Sequence, residues 1–179
     1  LDLCAAPGGK TAQIAVAMRD SGALVANERK HGRLSRLRRT LDRLGITCAA
    51  VSCGDGVRLR GLDAYFDRVL ADVPCSCEGT TRKTLGLREE TSERFRMSIV
   101  QVQKALLRAA LRMTRPGGVV VYSTCTYAPE ENEAVLSAID PSHALIEPIV
   151  APDGLSVTPG ILSWNGASFR EDVVNAARI

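Results

Sequence analysis

The sequence predicts an α/β fold in which a mostly parallel sheet carries helices on both faces. Short apolar runs alternate with longer segments whose apolar residues recur at helical spacing. The short runs are apolar throughout, which is typical of strands buried on both faces. With 179 residues, 45% of them hydrophobic and 24% charged, the chain suits one domain with one core, so a single domain over 1–179 is predicted.

The first half of the chain contains three predicted strands and two helices. Leu1–Leu3 is a strand that ends in a glycine-rich turn, and Thr11–Met18 has helical spacing. The short apolar run Ala23–Asn27 is the second strand, and Thr47–Ser52 is the third. Between them lies a helix with a leucine stripe, ended by the C-terminal cap Gly45. The stripe comprises Leu34, Leu37, Leu41 and Leu44.

The second half continues the same alternation. Phe66–Ala71 is the fourth strand, a helix runs from about Ser92 to Met113, and Val119–Tyr122 is the fifth strand. Pro129, followed by two glutamates, suits the first turn of a further helix that continues to Ile139. Pro141–Ser168 is rich in turn-forming residues and is predicted to be a loop that faces substrate. This order of elements indicates a doubly wound, Rossmann-like architecture.

The glycine-rich turn fits neither common nucleotide motif. A P-loop requires a glycine where the chain has Cys4, and a dinucleotide fingerprint fails because Gly8 and Gly9 are adjacent. A turn of this kind after the first strand still lets backbone approach a ligand. Glu28, at the end of the second strand, is placed to accept hydrogen bonds from ribose hydroxyls, and Asp55 after the third strand can reach the same crevice.

Two of the six cysteines stand near strand ends, Cys75 after Asp72-Val73-Pro74 and Cys125 after Ser123-Thr124. A thiolate can attack an electron-poor ring carbon, so this pair indicates covalent catalysis. We expect the cysteines to be reduced, since a chain of this size needs no disulfide staples. Zinc is not expected, because Cys75-Ser76-Cys77 is spaced too closely and no second pair follows.

Three segments together resemble the NSUN (Nop2/Sun) family of RNA cytosine-C5 methyltransferases. They are Leu1-Asp2-Leu3-Cys4-Ala5-Ala6-Pro7-Gly8-Gly9-Lys10-Thr11, Asp72-Val73-Pro74-Cys75-Ser76, and Tyr122-Ser123-Thr124-Cys125-Thr126-Tyr127-Ala128-Pro129-Glu130-Glu131-Asn132-Glu133. The resemblance covers most of the chain up to about Glu133. It implies a class I methyltransferase fold and S-adenosyl-L-methionine as cofactor.

By this resemblance, the turn after the first strand holds the amino-acid part of the cofactor. Its residues are Cys4, Ala5, Ala6, Pro7, Gly8, Gly9 and Lys10. The resemblance assigns Glu28 to the cofactor's ribose and Asp55 to its adenine edge, with Arg33 assisting and Asp72 also lining the cofactor site. The chain departs from the family pattern at two positions. Glu28 stands where the family commonly has Asp, and Cys77 stands where a glycine often follows Pro-Cys-Ser.

The resemblance also assigns the chemistry. Cys125 is the implied nucleophile and Cys75 the residue that helps release the product, while Asp72 hydrogen-bonds the cytosine ring and Lys10 supports cofactor and base. The alternative within enzymes is a DNA cytosine-C5 methyltransferase with Cys75 as nucleophile. A second alternative is an RNA-binding scaffold of the same fold without catalysis.

The expected substrate is RNA, rRNA or tRNA, with the target cytosine single-stranded or flipped out of its stack. Phosphate contacts are expected from Arg82-Lys83 and from the arginine-rich helix, although a net charge of +3 alone does not imply polyanion binding. We expect a monomer in the cytoplasm without membrane segment or metal. An N-terminal RNA-binding part and a final C-terminal strand, both usual in the family, are expected to lie outside these residues.

Overall fold

The computed structural model describes residues 1–19, 21–80 and 92–179. They form two compact units, one made of residues 1–74 and 105–123 and the other of residues 75–104 and 124–179. The helix α3 (Glu93–Met113) contributes to both. The prediction of a single domain stays a prediction. Within the described ranges, no helix combines the length and the apolar character that crossing a bilayer requires.

The first unit contains the parallel sheet. Its strands are β1 (Leu24–Glu28), β2 (Ala49–Cys53), β3 (Phe66–Asp72) and β4 (Thr114–Ser123). β1 pairs with β2 and β3 pairs with β4, both in parallel. The opening segment, residues 1–3, lies between the pairs, since Asp2 forms parallel bridges to Ala26 and to Leu70. The spatial order is therefore β2, β1, opening segment, β3, β4, as a doubly wound sheet requires.

Helices cover both faces of this sheet. On one face, the second half of α3 packs through Leu106, Ala110 and Met113 against the opening segment and β3. On the other, α2 (His31–Arg43) packs its leucines against Ala26 of β1. The adjacent Val25 faces the α3 cluster, as alternation along a strand dictates. The predicted Rossmann-like arrangement is therefore present, and its core consists of two layers of side chains.

Several element predictions need correction. The first helix, α1 (Gly9–Met18), begins two residues earlier than Thr11 because the turn glycines lead directly into it. Leu44 lies beyond the end of α2 and is exposed, although Gly45 does adopt the left-handed conformation of a C-terminal cap. The prediction that each strand is buried on both faces is wrong for β4, where Val119 and Val121 are exposed.

The second unit has less regular structure. The helix predicted from Pro129 to Ile139 is reduced to α4 (Glu133–Leu136), which follows turns over residues 129–132. Four short strands form two antiparallel pairs, and three of these strands lie within the predicted loop 141–168. These strands are β5 (Thr158–Pro159), β6 (Ser163–Trp164), β7 (Ala167–Ser168) and β8 (Ala177–Arg178), of which β5 pairs with β8 and β6 with β7.

An ion pair joins the partly exposed Arg178 of β8 to the buried carboxylate of Glu133 in α4. Arg178 Nη1 donates to the two carboxylate oxygens of Glu133 at 2.7 and 2.9 Å. The Glu133 side chain also accepts the N–H of Ile161, and Arg178 Nη2 donates to the carbonyl of Tyr127. Glu133 is only 1% exposed. Its charge therefore depends on Arg178 for compensation.

We expect Arg178→Ala to lower the free energy of unfolding by about 3 kcal/mol, because it leaves the Glu133 carboxylate buried without its cation. Arg115→Ala is the matched control, since Arg115 pairs with Asp67 at 2.9 Å where both side chains are mostly exposed. That variant should lose no more than about 1 kcal/mol. Urea unfolding curves of both variants measure the difference, and equal shifts would contradict the assignment.

Candidate active site

A cleft of about 360 Å³ opens at the carboxyl edge of the sheet in the first unit. Its position is where doubly wound sheets bind ligands. The cleft is lined by most of the turn residues that the sequence singles out and by Asp72 at the end of β3. Two further lining residues, Asp2 and Gln13, were not predicted. The lining residues are Asp2, Cys4, Ala5, Ala6, Pro7, Gly9, Lys10, Gln13 and Asp72.

The turn takes its shape from a glycine that no other residue could replace without strain. Gly8 has φ of 105°, and a Cβ there would stand 3.1 Å from Leu37 Cδ1 and from Thr40 Cβ. The hydroxyl of Thr40 donates to the Pro7 carbonyl at 2.8 Å. The turn is thus held against α2, and α1 starts directly after it at Gly9. The N-terminus of α1 contributes partial positive charge beside the cleft.

Glu28 is joined to this turn through Arg33. The Glu28 carboxylate is buried, accepts the N–H of Lys30 at 2.7 Å, and lies 3.3 Å from Arg33 Nη1. Arg33 Nη2 donates to the carbonyl of Ala6 at 2.5 Å. The structure therefore brings together three elements that the sequence analysis linked: the turn, Glu28 and Arg33. Glu28 and Arg33 do not line the cleft itself.

Asp55 lies after β2, in the loop that Gly54 attaches to the end of β1. The Gly54 N–H donates to the Glu28 carbonyl at 3.2 Å. The Asp55 carboxylate accepts the N–H of Val57 at 3.1 Å and lies 3.8 Å from Arg29. Asp55 is therefore at the same sheet edge as Glu28, although it is outside the lining of the cleft.

Asp72 and Lys10, both predicted to act on the base, are in direct contact. Lys10 Nζ donates to Asp72 Oδ2 at 2.9 Å, and Ser123 Oγ donates to Asp72 Oδ1 at 2.7 Å. Asp72 is half-buried and Lys10 is more exposed. Because both carboxylate oxygens accept a hydrogen bond, the side chain is held in one orientation. Ser123, which ends β4, was not among the predicted site residues.

The floor of the cleft contains two groups in unusual protonation environments. Burial raises the pKa of the Asp2 carboxyl, and the Thr11 hydroxyl, which donates to it at 2.6 Å, partly offsets this. Burial also raises the pKa of the Cys4 thiol to about 12, so it remains protonated at neutral pH. Cys4 is therefore a poor nucleophile, and its place in the site is that of a small lining residue.

The second unit holds the two predicted thiols side by side. Cys75 Sγ and Cys125 Sγ are 3.3 Å apart, and the backbone N–H of Cys125 donates to Cys75 Sγ at 3.3 Å. Cys75 is half-buried, whereas Cys125 is exposed. Only Val73 and Pro74 separate Cys75 from Asp72 along the chain. The fold therefore brings the cysteines of the two motifs into contact.

Four hydrogen bonds around the thiols fix the loop that carries Cys75. The Gly79 N–H donates to the Cys125 carbonyl at 2.8 Å, and the hydroxyls of Ser76 and Thr126 are 2.8 Å apart. The Ser76 N–H donates to Glu131 at 3.0 Å, and Gln103 donates to the same carboxylate oxygen at 2.8 Å. Glu131 was predicted as a glutamate of a helix first turn; it is instead a buried residue that positions the Cys75 loop.

The Cys75 thiol does not readily lose its proton. Burial raises the pKa of Cys75 to about 11, and the N–H of Cys125 offsets only part of that effect. The hydrogen bond between the two sulfurs raises it further. Cys75 thus keeps its proton at neutral pH and can donate it toward Cys125. A hydrogen bond of this kind stabilises the thiolate form of the acceptor, here Cys125.

The basic residues of α2 form an exposed surface. Arg36, Arg38, Arg39 and Arg43 are all exposed, while Leu34, Leu37 and Leu41 are buried on the opposite side of the helix. This surface remains available for phosphate contacts. The other predicted contact, Arg82-Lys83, lies outside the described residues.

Comparison with known proteins identifies relatives for most of the chain. Residues 1–157 match the family model described as 16S rRNA methyltransferase RsmB/F. A tRNA (cytosine(49)-C(5))-methyltransferase of Pyrococcus abyssi is 37% identical over 180 aligned positions, which cover 100% of this chain and 57% of that protein. Ribosomal RNA small subunit methyltransferase F of Vibrio vulnificus is 46% identical over 136 positions, which cover 75% of the chain and 29% of that protein.

A solved structure agrees with these matches. The crystal structure of NSun6 from Pyrococcus horikoshii with SFG superposes with a TM-score of 0.70 at 36% identity. The superposition covers 75% of this chain and 34% of that one. The chain thus spans between about a third and about three fifths of the length of these relatives. The resemblance in sequence extends to the three-dimensional fold.

Proposed function

The chain belongs to the RsmB/F family of 16S rRNA methyltransferases, and on this basis we propose that it methylates C5 of cytosine in RNA with S-adenosyl-L-methionine as methyl donor. Membership confirms the resemblance on which the sequence analysis relied, and the fold it implied is confirmed with it. The activity is a proposal for this chain. The observation that carries it is the 3.3 Å separation of Cys75 Sγ and Cys125 Sγ.

Two thiols suit this reaction because cytosine C5 is a weak nucleophile until sulfur has added to the neighbouring carbon. In the proposed mechanism, the Cys125 thiolate attacks C6 of the ring, and the ring electrons move toward N3. The Cys75 thiol, which keeps its proton at neutral pH, stabilises that thiolate before attack. After C5 has gained the methyl group, it gives its proton to water and the bond between Cys125 and C6 breaks, with the sulfur leaving as a thiolate. The Cys75 thiol then donates a hydrogen bond to the departing sulfur.

Asp72 and Lys10 are proposed to act on the ring that accepts the sulfur. Asp72 accepts a hydrogen bond from the exocyclic amine and from N3 as that nitrogen gains a proton, so its carboxylate stabilises the protonated ring that takes up the electrons. Lys10, whose ammonium lies 2.9 Å from Asp72 Oδ2, stabilises the negative charge of that carboxylate and supports the base. Ser123 fixes the orientation of the same carboxylate.

The residues at the sheet edge fit a sulfonium nucleoside. S-adenosyl-L-methionine supplies an electrophilic methyl group. We assign its amino-acid part to the turn of residues 4–10, where the N-terminus of α1 favours a carboxylate. The buried Glu28 is assigned to the ribose hydroxyls and Asp55 to the adenine edge, and Arg33 holds Glu28 and the turn together. Asp2, which sequence reasoning missed, lines the same cleft.

Glu28→Gln should weaken cofactor binding about 10- to 100-fold, because a neutral amide replaces the charged acceptor of the ribose hydroxyls. Isothermal titration with S-adenosyl-L-methionine measures the change. Asp67→Asn is the control, since Asp67 is an exposed carboxylate far along the chain from the turn. If Glu28→Gln bound as tightly as the control, with an unchanged melting temperature, the ribose assignment would be wrong.

The proposed substrate is an unpaired or flipped-out cytosine of rRNA or tRNA, with phosphate contacts from the exposed arginines of α2. The same proposal places the chain in the cytoplasm, where such RNAs are available. The test is transfer of labelled methyl from S-adenosyl-L-methionine to matched RNA and DNA oligonucleotides, with the product base identified by mass spectrometry. Methylation of DNA alone would favour the DNA methyltransferase alternative, and absence of cofactor binding would favour the scaffold.

A further inference from the structure

A third sulfur lies beside the two thiols of the proposed reaction. Cys77 Sγ is 3.9 Å from Cys75 Sγ, and the sulfurs of Cys75, Cys77 and Cys125 all lie within 4.8 Å of one another. Of the described residues, no other trio of cysteine, histidine or acidic side chains is gathered as closely. Neither the family assignment nor the proposed reaction uses Cys77. The three thiols therefore form a group whose purpose needs a separate explanation.

The backbone at Cys77 indicates that its side chain matters. Cys77 has φ of 60°, in the left-handed region that favours glycine. A residue with a Cβ is held there at a cost of about 1–2 kcal/mol. Glycine at this position would adopt the same conformation without strain. A thiol retained in such a conformation suggests a function for the sulfur.

The spacing of the sulfurs matches the ligand set of a soft cation. With metal–sulfur bonds of about 2.3 Å, neighbouring sulfurs in a tetrahedral or trigonal thiolate site lie about 3.8–4.0 Å apart. The two sulfur distances from Cys75, 3.3 and 3.9 Å, are close to this value, and the third does not exceed 4.8 Å. Small rotations of the Cys side chains would equalise the three. The loop is already fixed by the Gly79 and Ser76 contacts, which lowers the cost of ordering the ligands.

We propose that Cys75, Cys77 and Cys125 bind a thiophilic d10 cation, Zn²⁺ or Cu(I), as three thiolates. Thiolates select these ions over Mg²⁺ or Ca²⁺, which prefer oxygen. Each thiol releases its proton to water as the metal–sulfur bond forms. Three thiolates complete a trigonal Cu(I) site, whereas Zn²⁺ retains a fourth position for water. The exposure of Cys125 provides the route of entry.

Zinc was not expected from the sequence, because one residue separates Cys75 from Cys77 and no second pair follows. The third ligand comes instead from Cys125, after β4, which only the fold brings near. One consequence rests on the proposed function: a cation bound to Cys125 withdraws electron density from the thiolate and obstructs its approach to C6. The metal-bound protein would then be an inactive, reversible state of the methyltransferase.

Titration of the reduced, metal-free protein tests the site without any assay of methylation. Co²⁺ serves as the coloured substitute for Zn²⁺, and a chromophoric chelator reports Cu(I) in a second arm. We expect one equivalent of Co²⁺ to produce a sulfur-to-metal charge-transfer band. Cys77→Gly removes one of the three proposed ligands. It should therefore weaken metal binding by at least about 10- to 100-fold, the cost of losing a residue that only supports a ligand. Cys53→Ser, which removes an exposed thiol of β2, should bind as the unmodified protein does.

No band and no Cu(I) retention in the unmodified protein, or equal binding by Cys77→Gly, would overturn the proposal. Cys77→Gly should also melt at a higher temperature, because it removes the positive-φ strain, so weak binding cannot be attributed to unfolding.

Methyl transfer is then measured with and without Zn²⁺, each variant relative to its own metal-free rate. Greater inhibition of the unmodified protein than of Cys77→Gly supports the inactive state, and equal inhibition rejects it. Failure of the metal-free reaction would reject the proposed function and leave the binding result intact.

Discussion

Cys125→Ala should abolish both methyl transfer and the covalent adduct with RNA, whereas Cys75→Ala should accumulate the adduct. Without the Cys125 sulfur, nothing adds to C6 and C5 stays unreactive, so we expect a rate loss of about 10⁴-fold or more. Without Cys75, attack remains possible. The departing thiolate then lacks the hydrogen bond that the Cys75 thiol supplies from 3.3 Å, and the reaction stalls after methylation.

The adduct is detected as RNA that migrates with the protein on a denaturing gel. Cys53→Ala is the control, because it removes an exposed thiol in β2 and leaves Cys75 and Cys125 in place. It should form product at the rate of the unmodified protein. The opposite pattern, an adduct with Cys125→Ala and none with Cys75→Ala, would make Cys75 the nucleophile. That outcome would support the DNA cytosine methyltransferase alternative.

Local sequence predicted the parts of the fold that depend on local interactions. Leu34, Leu37 and Leu41 of α2 depend on helical spacing and the cap at Gly45 depends on one backbone conformation, and both were correctly anticipated, whereas Leu44 was not. The glycine-rich turn was recognised for the same reason, since Gly8 needs its positive φ wherever the turn is placed. The carboxyl ends of β1 to β4 were located to within one residue, whereas the short strands β5 to β8 were not predicted. These features are encoded within a few neighbouring positions.

Features that depend on distant partners could not be predicted in this way. Two glutamates after Pro129 have the composition of a helix start, but Glu131 is buried because it accepts from Ser76, fifty-five residues earlier. Asp2 was not predicted as a site residue, because its hydrogen bond with Thr11 forms only when the turn brings the two side chains together. Cys77 differs from the family pattern by one side chain. This difference matters chemically only because the fold brings Cys77 close to Cys125.

Gly79 shows how strongly the thiol pair depends on such a distant contact. A Cβ built on Gly79 would lie 2.8 Å from the carbonyl oxygen of Cys125. That oxygen is backbone, so no side-chain rotation can relieve the overlap. It also accepts the Gly79 N–H at 2.8 Å, and Gly79→Ala must stretch this hydrogen bond. The substitution therefore strains the backbone of Cys125, whose sulfur is the proposed nucleophile.

We therefore expect Gly79→Ala to lower the rate of methyl transfer about 100-fold, the cost of displacing a reacting group by about 1 Å. Cofactor affinity should not change, because the turn, Glu28 and Asp55 belong to the other unit. Gly32→Ala is the control: a Cβ there meets no atom within 4 Å, and alanine in α2 should stabilise the helix by about 0.5–1 kcal/mol. Crosslinking of Cys75 to Cys125 by a short bifunctional alkylating agent, located by mass spectrometry, reports the geometry independently of catalysis. Unchanged crosslinking together with an unchanged rate in Gly79→Ala would mean that the contact does not position Cys125.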